Sequence, residues 1–251
     1  MEDEKLFEAI GFSWDRSVVL ANVPVYPVER VCFRFKQMLA EYVWDASMLE
    51  GNPFTYPQVQ TLLEGITVGG HKLSDQEQVL NLAESSKLLL DMVKAGTFSL
   101  SKPLFCKFQG IIARDEALEW GHFRGEGDEK GYTPEVALGE HGRYKPLPTV
   151  AGAPELKKTF YRAVRMLKNR VTNPFERGVV FFLHGALQQY FFDGNKRTSR
   201  AVMNGILMSS GIDSISIPAA RRQEFNEKMV RFYLGREGTE MIAFLGELLP
   251  R

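Results

Sequence analysis

The sequence predicts a mainly α-helical fold, and three observations carry that expectation. Apolar residues recur every three to four positions through most of the 251-residue chain. Glycine and proline collect at the ends of these periodic runs, where helices stop. Only residues 119–150 lack the helical period over a long span, and no repeat, low-complexity tract or linker divides the chain. One helical domain interrupted by one long excursion is the architecture expected.

The elements follow in order. Residues 28–50 carry Val31, Phe35, Met38, Leu39, Tyr42, Val43 and Leu49 at helical spacing, and Gly51 and Pro53 of GNPFT end the run. Thr55 can cap the next helix, YPQVQTLLEG. Residues 75–95 repeat the pattern through Val79, Leu82, Leu89 and Val93 and stop at Gly96; a further helix is expected over 103–118. The excursion 119–150, rich in Gly and Pro, has room for a short hairpin. Helices are then expected at 154–169, 175–190 and 197–210. After SISIP (214–218), a last helical part runs from about 219, and its end, EGTEMIAFLGELLPR, reads as an amphipathic helix packed on the body.

Charge narrows the function. Lys+Arg and Asp+Glu both number 31, which argues against a general nucleic-acid binder, whose affinity comes from neutralising phosphates. The acidic N-terminus, MEDEKLFEAIGF, lacks the basic and apolar regions of a secretory signal. No apolar run approaches the roughly 18 residues that span a bilayer. Cys32 and Cys106 sit in apolar surroundings without metal-ligand spacing and read as reduced core residues. A soluble, cytoplasmic protein is expected. The acids of GEGDEKG (125–131) read as a solvated loop.

One stretch departs from this ordinary pattern. QQYFFDGNKRTSR (188–200) joins two apolar helices through a turn and places Lys196, Arg197 and Arg200 at the start of the second. A helix N-terminus carries partial positive charge, so cations there are unfavourable unless an anion is also present. Free N–H groups beside the small Gly194 make such a place an anion site. Arg197 and Arg200, three apart, share a helical face and can fork onto phosphate oxygens, and Asp193 can hold Mg²⁺ beside a polyphosphate. The alternative is an interhelical turn with solvated basic residues. No GxxxxGK[ST] or GxGxxG occurs here.

FFDGNKRTSR resembles the central motif of the Fic family, HPFx(D/E)GNGRxxR, with Phe191, Asp193, Gly194, Asn195, Arg197 and Arg200 at motif positions in order. The resemblance implies a Fic-like helical bundle with a small β-hairpin flap, ATP as nucleotide with Mg²⁺, and AMP transfer to a hydroxyl of a target protein. Gly194, Asn195, Lys196, Arg197 and Arg200 then bind nucleotide and Asp193 the metal. WGHFR (120–124) looks like the start of the flap, placing Gly121, Phe123 and Arg124 there, and YKPLP (144–148) resembles its end. The resemblance covers residues 75–251, leaving 1–74 as a helical extension. The implied partner is an unidentified target protein docking at the flap by strand addition.

Two positions depart from the motif. Gln189 stands where the family has its general-base His, and an amide has no titratable proton near neutrality. His184 lies about 140° around the helix from Gln189 and reads as a core histidine; His122 and His141 fall in the excursion, and His71 reads as a surface residue. Lys196 replaces the motif's second glycine, and NKRT is similar to the Doc branch, which transfers phosphate rather than AMP. Weak or absent activity is therefore expected, from either a degenerate enzyme or a silent binding module. DASMLEGNPFT (45–55) resembles the family's inhibitory motif, (S/T)xxxE(G/N), with Ala46 at the Ser/Thr position. Glu50 is then expected near Arg200 as an inhibitory residue; read without the resemblance, SMLEGN is a helix stop.

Overall fold

The structure, a computed structural model, describes residues 2–249. Its α-helices are α1 (Glu2–Ile10), α2 (Val28–Gln37), α3 (Leu39–Leu49), α4 (Tyr56–Leu63), α5 (Leu73–Lys94) and α6 (Lys102–Ile112), then α7 (Pro154–Arg170), α8 (Pro174–Gln188), α9 (Asn195–Ser209), α10 (Arg222–Gly235) and α11 (Thr239–Glu247). The excursion holds a two-stranded antiparallel hairpin, β1 (Val136–Ala137) and β2 (Arg143–Tyr144), with Val136 opposite Tyr144. The fold is therefore mainly helical with a small hairpin, as the sequence predicts.

Helices α8 and α9 form the central pair. Every residue from Gly178 to Leu187 of α8 is buried, so the helix is enclosed on all sides rather than along one stripe. Asn173 caps it by accepting from the N–H groups of Phe175 and Glu176, with Pro174 in the first turn. The two helices approach closely because Gly185 lacks a Cβ, which would collide with Ser199 Oγ. Around them, α2, α5 and α6 pack on α9, while α7 and α11 pack on α8. Helix α3 lies on α5, and α1 lies on α7. One hydrophobic cluster runs from Leu6 to Leu249 and takes residues from both sides of position 74.

Two helix boundaries expected from the sequence are corrected. The helix expected over 28–50 breaks at Met38 (φ −96°, ψ 7°) into α2 and α3. The buried positions Val31, Phe35, Val43, Ala46 and Leu49 stay within an arc of about 120° on a 3.6-residue wheel, so their spacing does not register the break. The helix expected over 103–118 ends at Ile112, and Asp115 adopts a left-handed backbone (φ 63°) that a helix interior does not accept. The last helical part divides at Arg236, also left-handed (φ 48°), and α11 folds back and buries Met241, Ile242, Phe244 and Leu245, as the reading of its end as a packed amphipathic helix expects.

His184 is a core residue, with Nδ1 2.8 Å from the Ile10 carbonyl and Nε2 2.7 Å from the Tyr190 hydroxyl. Its complete burial pushes the imidazole down to about 4. His71, expected at the surface, is instead half-buried and stacks on Phe54 with ring centroids 4.0 Å apart. Cys32 and Cys106 are buried free thiols. Among the described residues no helix is long and apolar enough to cross a membrane.

Candidate functional site

The loop from Gln189 to Gly194 hangs between the buried ends of α8 and α9, and its shape follows from two left-handed residues. Gln189 ends α8 with φ 49° and ψ 61°. Gly194 caps α9 with φ 75°, and a Cβ there would lie 2.9 Å from Ala113 Cβ. The glycine is therefore required by conformation and by space. The first N–H groups of α9 lack intrahelical acceptors.

Gln189 is buried, and both ends of its side-chain amide are hydrogen-bonded. Its Nε2 donates to the Ala186 carbonyl at 2.6 Å, and its Oε1 accepts from Asn195 Nδ2 at 3.0 Å. Asn195 also bonds Phe191 through both ends of its amide, donating to the carbonyl at 2.9 Å and accepting from the N–H at 3.0 Å. Asn195, expected among the nucleotide-binding residues, thus turns inward and shapes the loop. Tyr233 OH donates to the same Ala186 carbonyl at 3.0 Å.

The cationic end is built differently. Arg197, 5 % exposed, places Nη1 2.9 Å from each oxygen of Glu116 and Nη2 3.7 Å from Asp193. Burial opposes its charge, yet Glu50, Glu116 and Asp193 hold the guanidinium above its ordinary value. Arg200, a turn further along α9, is equally buried and meets the Glu50 carboxylate at 3.4 Å. Its Nη1 is buried with no hydrogen-bond partner. Burial alone would raise the Glu50 carboxyl, but Lys196, Arg200 and Arg197 hold it below the usual carboxylate range. Glu50 therefore sits among three cations at the end of α3, where Gly51 (φ 85°) turns the chain.

A cavity of about 330 Å³ opens between β1 and this loop. Its walls include Val136 and Ala137, Gln189, Asp193, Lys196, Arg197 and Glu50. The structure thus gathers Glu50, Gln189 and the 193–197 residues around one space, with Arg200 tied to it through Glu50. Gly121, Phe123 and Arg124 lie elsewhere, at the base of the excursion. Gly121 N–H donates to Gln109 Oε1 at 2.6 Å, and the fully buried Phe123 stacks on Tyr190 at 4.7 Å. Arg124 is fully buried and donates to the carbonyls of Gln189 and Leu147, each at 2.6 Å, and to Thr149 Oγ1 at 2.9 Å. Without a carboxylate among these partners, burial pulls its guanidinium down to about 10.

Sequence reasoning missed Gln109, Glu116 and Gln78. Gln109 bridges the excursion to the loop by donating to the Asp193 carbonyl at 3.2 Å. Glu116 accepts from Gln78 Nε2 at 3.0 Å as well as from Arg197. All three are single polar residues far in sequence from the motif, and nothing local marks them.

No family model matches the chain. Among curated proteins it is 27 % identical over 219 residues to the protein adenylyltransferase fic-1 of Caenorhabditis elegans, a match covering 83 % of this chain and 37 % of that protein. It is 23 % identical over 198 residues to the protein adenylyltransferase Fic of Drosophila mojavensis, covering 76 % and 36 %. The matches thus cover little more than a third of the length of these relatives. Among solved structures, Fic-1 of C. elegans superposes with a TM-score of 0.69 at 18 % identity, covering 98 % of this chain and 68 % of that one. A Fic family protein from Desulfovibrio desulfuricans gives 0.68 at 18 %, covering 98 % and 70 %. The chain therefore has the fold of these Fic proteins, and the curated proteins it resembles in sequence include protein adenylyltransferases.

Proposed function

We propose that the chain is a nucleotide-binding Fic protein whose transfer of AMP to a target-protein hydroxyl is weak or absent. The observation that carries this reading is the cluster of Lys196, Arg197 and Arg200 around the Glu50 carboxylate, at a helix N-terminus beside a cavity. A carboxylate held there by three cations occupies the place of an anion. ATP phosphates would replace it, taking Lys196, Arg197 and the first N–H groups of α9, and reaching Arg200 once Glu50 has moved. Glu50 is then an inhibitory residue.

Asp193 fits a metal role, since its carboxylate is 59 % exposed on the cavity wall. Mg²⁺ is commonly held by one or two carboxylates plus substrate phosphates, where it neutralises phosphate charge. Among the described residues no group of three or more His, Cys, Asp or Glu could hold a metal alone, so Asp193 would act with the nucleotide. The target segment would lie along β1, which is paired only with β2 and borders the cavity. Its hydroxyl would meet Gln189, which cannot take the proton. Cytoplasmic residence belongs to the same proposal, on the strength of two buried free thiols.

A second reading, a silent binding module, is favoured by the closed circuit of hydrogen bonds from Gln189 to Ala186 and Asn195, which gives the glutamine a structural task. Lys196 favours a third, phosphate transfer, because a bulky cation at that position changes where the α-phosphate sits. One assay separates them: ATP labelled at the α- or γ-phosphate, offered to wild type, Gln189→His and Gln189→His/Lys196→Gly. The expected outcome is feeble α-label transfer by wild type, a rise of about 10²-fold with histidine as a general base supplies, and a further rise in the double variant. Robust α-label transfer by wild type overturns the proposal. A folded, ATP-binding double variant that stays silent favours the binding module, and transfer of γ-label alone favours phosphate transfer.

A further inference from the structure

The turn that carries Glu50 also carries Asn52, and Asn52 begins a chain of side chains that ends on the other motif arginine. Asn52 is 4 % exposed. Its Nδ2 donates to the Asp75 carbonyl at 2.8 Å and to Gln78 Oε1 at 3.0 Å, while its Oδ1 accepts from Phe54 N–H at 3.1 Å. Gln78 Nε2 then donates to Glu116 Oε2 at 3.0 Å, and Glu116 takes Arg197 Nη1 at 2.9 Å. Glu116 belongs to none of the motif positions. It reaches Arg197 because α6 stops at Ile112 and the turn through the left-handed Asp115 brings its carboxylate back towards α9.

Each link is directional. The Gln78 amide can bridge only while its oxygen faces Asn52 and its nitrogen faces Glu116, so the turn fixes the orientation of Gln78 and Gln78 fixes that of the carboxylate. Resting on the proposed nucleotide site, we infer that the 50–52 turn restrains both phosphate-binding arginines: Arg200 directly through Glu50, and Arg197 through Asn52, Gln78 and Glu116. Glu116 is a second restraining carboxylate. Displacing the turn breaks the ion pair to Arg200 and unlocks Glu116 in the same movement. Removing Glu50 alone frees one arginine and leaves the other engaged.

Calorimetry with Mg-ATP tests this on the full chain as wild type, Glu50→Gly, Glu116→Gln and the double variant. Glu50→Gly is expected to tighten binding about tenfold, the order of one hydrogen bond to a charged group, and Glu116→Gln to add several-fold more in that background. Weaker or unchanged binding on adding Glu116→Gln overturns the inference, because Glu116 would then merely position Arg197 for phosphate. A nucleotide-free measurement reads the relay itself. Gln78→Leu touches neither arginine, and hydrogen exchange at the Gly51 and Asn52 amides, which bond the Met48 and Ser47 carbonyls, is expected to quicken in it and in Glu116→Gln. Unchanged exchange in Glu116→Gln overturns the relay. Quickened exchange with no Mg-ATP binding by any variant upholds the relay and removes the nucleotide reading instead.

Discussion

The two ends of the 189–200 segment are held in opposite ways. At Gln189 the amide's partners are neutral: the Ala186 carbonyl and the Asn195 amide. Arg124, a charged neighbour, meets the Gln189 backbone and otherwise bonds a carbonyl and a hydroxyl. At Arg197 and Arg200, cations face carboxylates, and one buried guanidinium nitrogen of Arg200 has no partner. A neutral network that satisfies its members is complete and gains nothing from a ligand. An ionic cluster with a bonding position to spare can exchange its carboxylate for another anion. On the proposed reading, the loop thus separates a finished structural end from an exchangeable one.

That contrast can be broken most sharply at Arg124. Arg124→Ala leaves the buried Gln189 carbonyl and the half-buried Leu147 carbonyl without this donor, and a loss of about 4 kcal/mol is expected from groups worth about 1–3 kcal/mol each. Urea unfolding monitored by circular dichroism reads it; a loss below about 1 kcal/mol would mean that the neutral end is not structural. Next comes pH. The folded protein holds His184 at about 4 against 6.5 unperturbed, so the unfolded chain takes up the proton first. The contribution is complete above pH 6.5 and is lost as pH falls towards 4, about 3 kcal/mol in all. His184→Gln should flatten this stretch of the stability–pH curve, and an unchanged slope would move the titration to another group. The smallest effect belongs to the ionic end. Glu50→Gln should cost about 2 kcal/mol without ligand, the order of one hydrogen bond to a charged group, yet enlarge the rise in melting temperature that Mg-ATP produces. A variant that loses stability and gains no larger shift would count against an exchangeable end.

How much of this was legible in the sequence depended on whether the signal was local. The helical periods located most helices, and FFDGNKRTSR located the loop, because both are patterns of near neighbours. Glu50 was legible through SMLEGN, and the structure sets it 3.4 Å from Arg200. The break at Met38 was hidden because the apolar residues on either side remain in phase. The early end of α6 was hidden because a left-handed Asp115 leaves no trace in composition. Glu116, Gln78 and Gln109 were illegible for another reason: each acts across 38 to 84 positions of sequence as a lone polar side chain. Gly121, Phe123 and Arg124 were read at the entry to the flap, but the burial of Phe123 and Arg124 was not legible, since only packing decides whether a loop residue faces outwards or is swallowed.

The fully buried Arg124 has a consequence for the entropy of the excursion. One guanidinium grips Leu147 and Thr149 near its end, while the same residue's N–H holds the Tyr190 carbonyl near its start. What looks in sequence like a long free span is therefore a closed ring with both feet on one post. Ring closure removes much of the chain's freedom, and the remaining dependence on length is slow, about 0.6 kcal/mol for each doubling. If an extended peptide pairs with β1, as proposed, it would meet an edge already drawn up beside Gln189, most of the ordering having been done by folding.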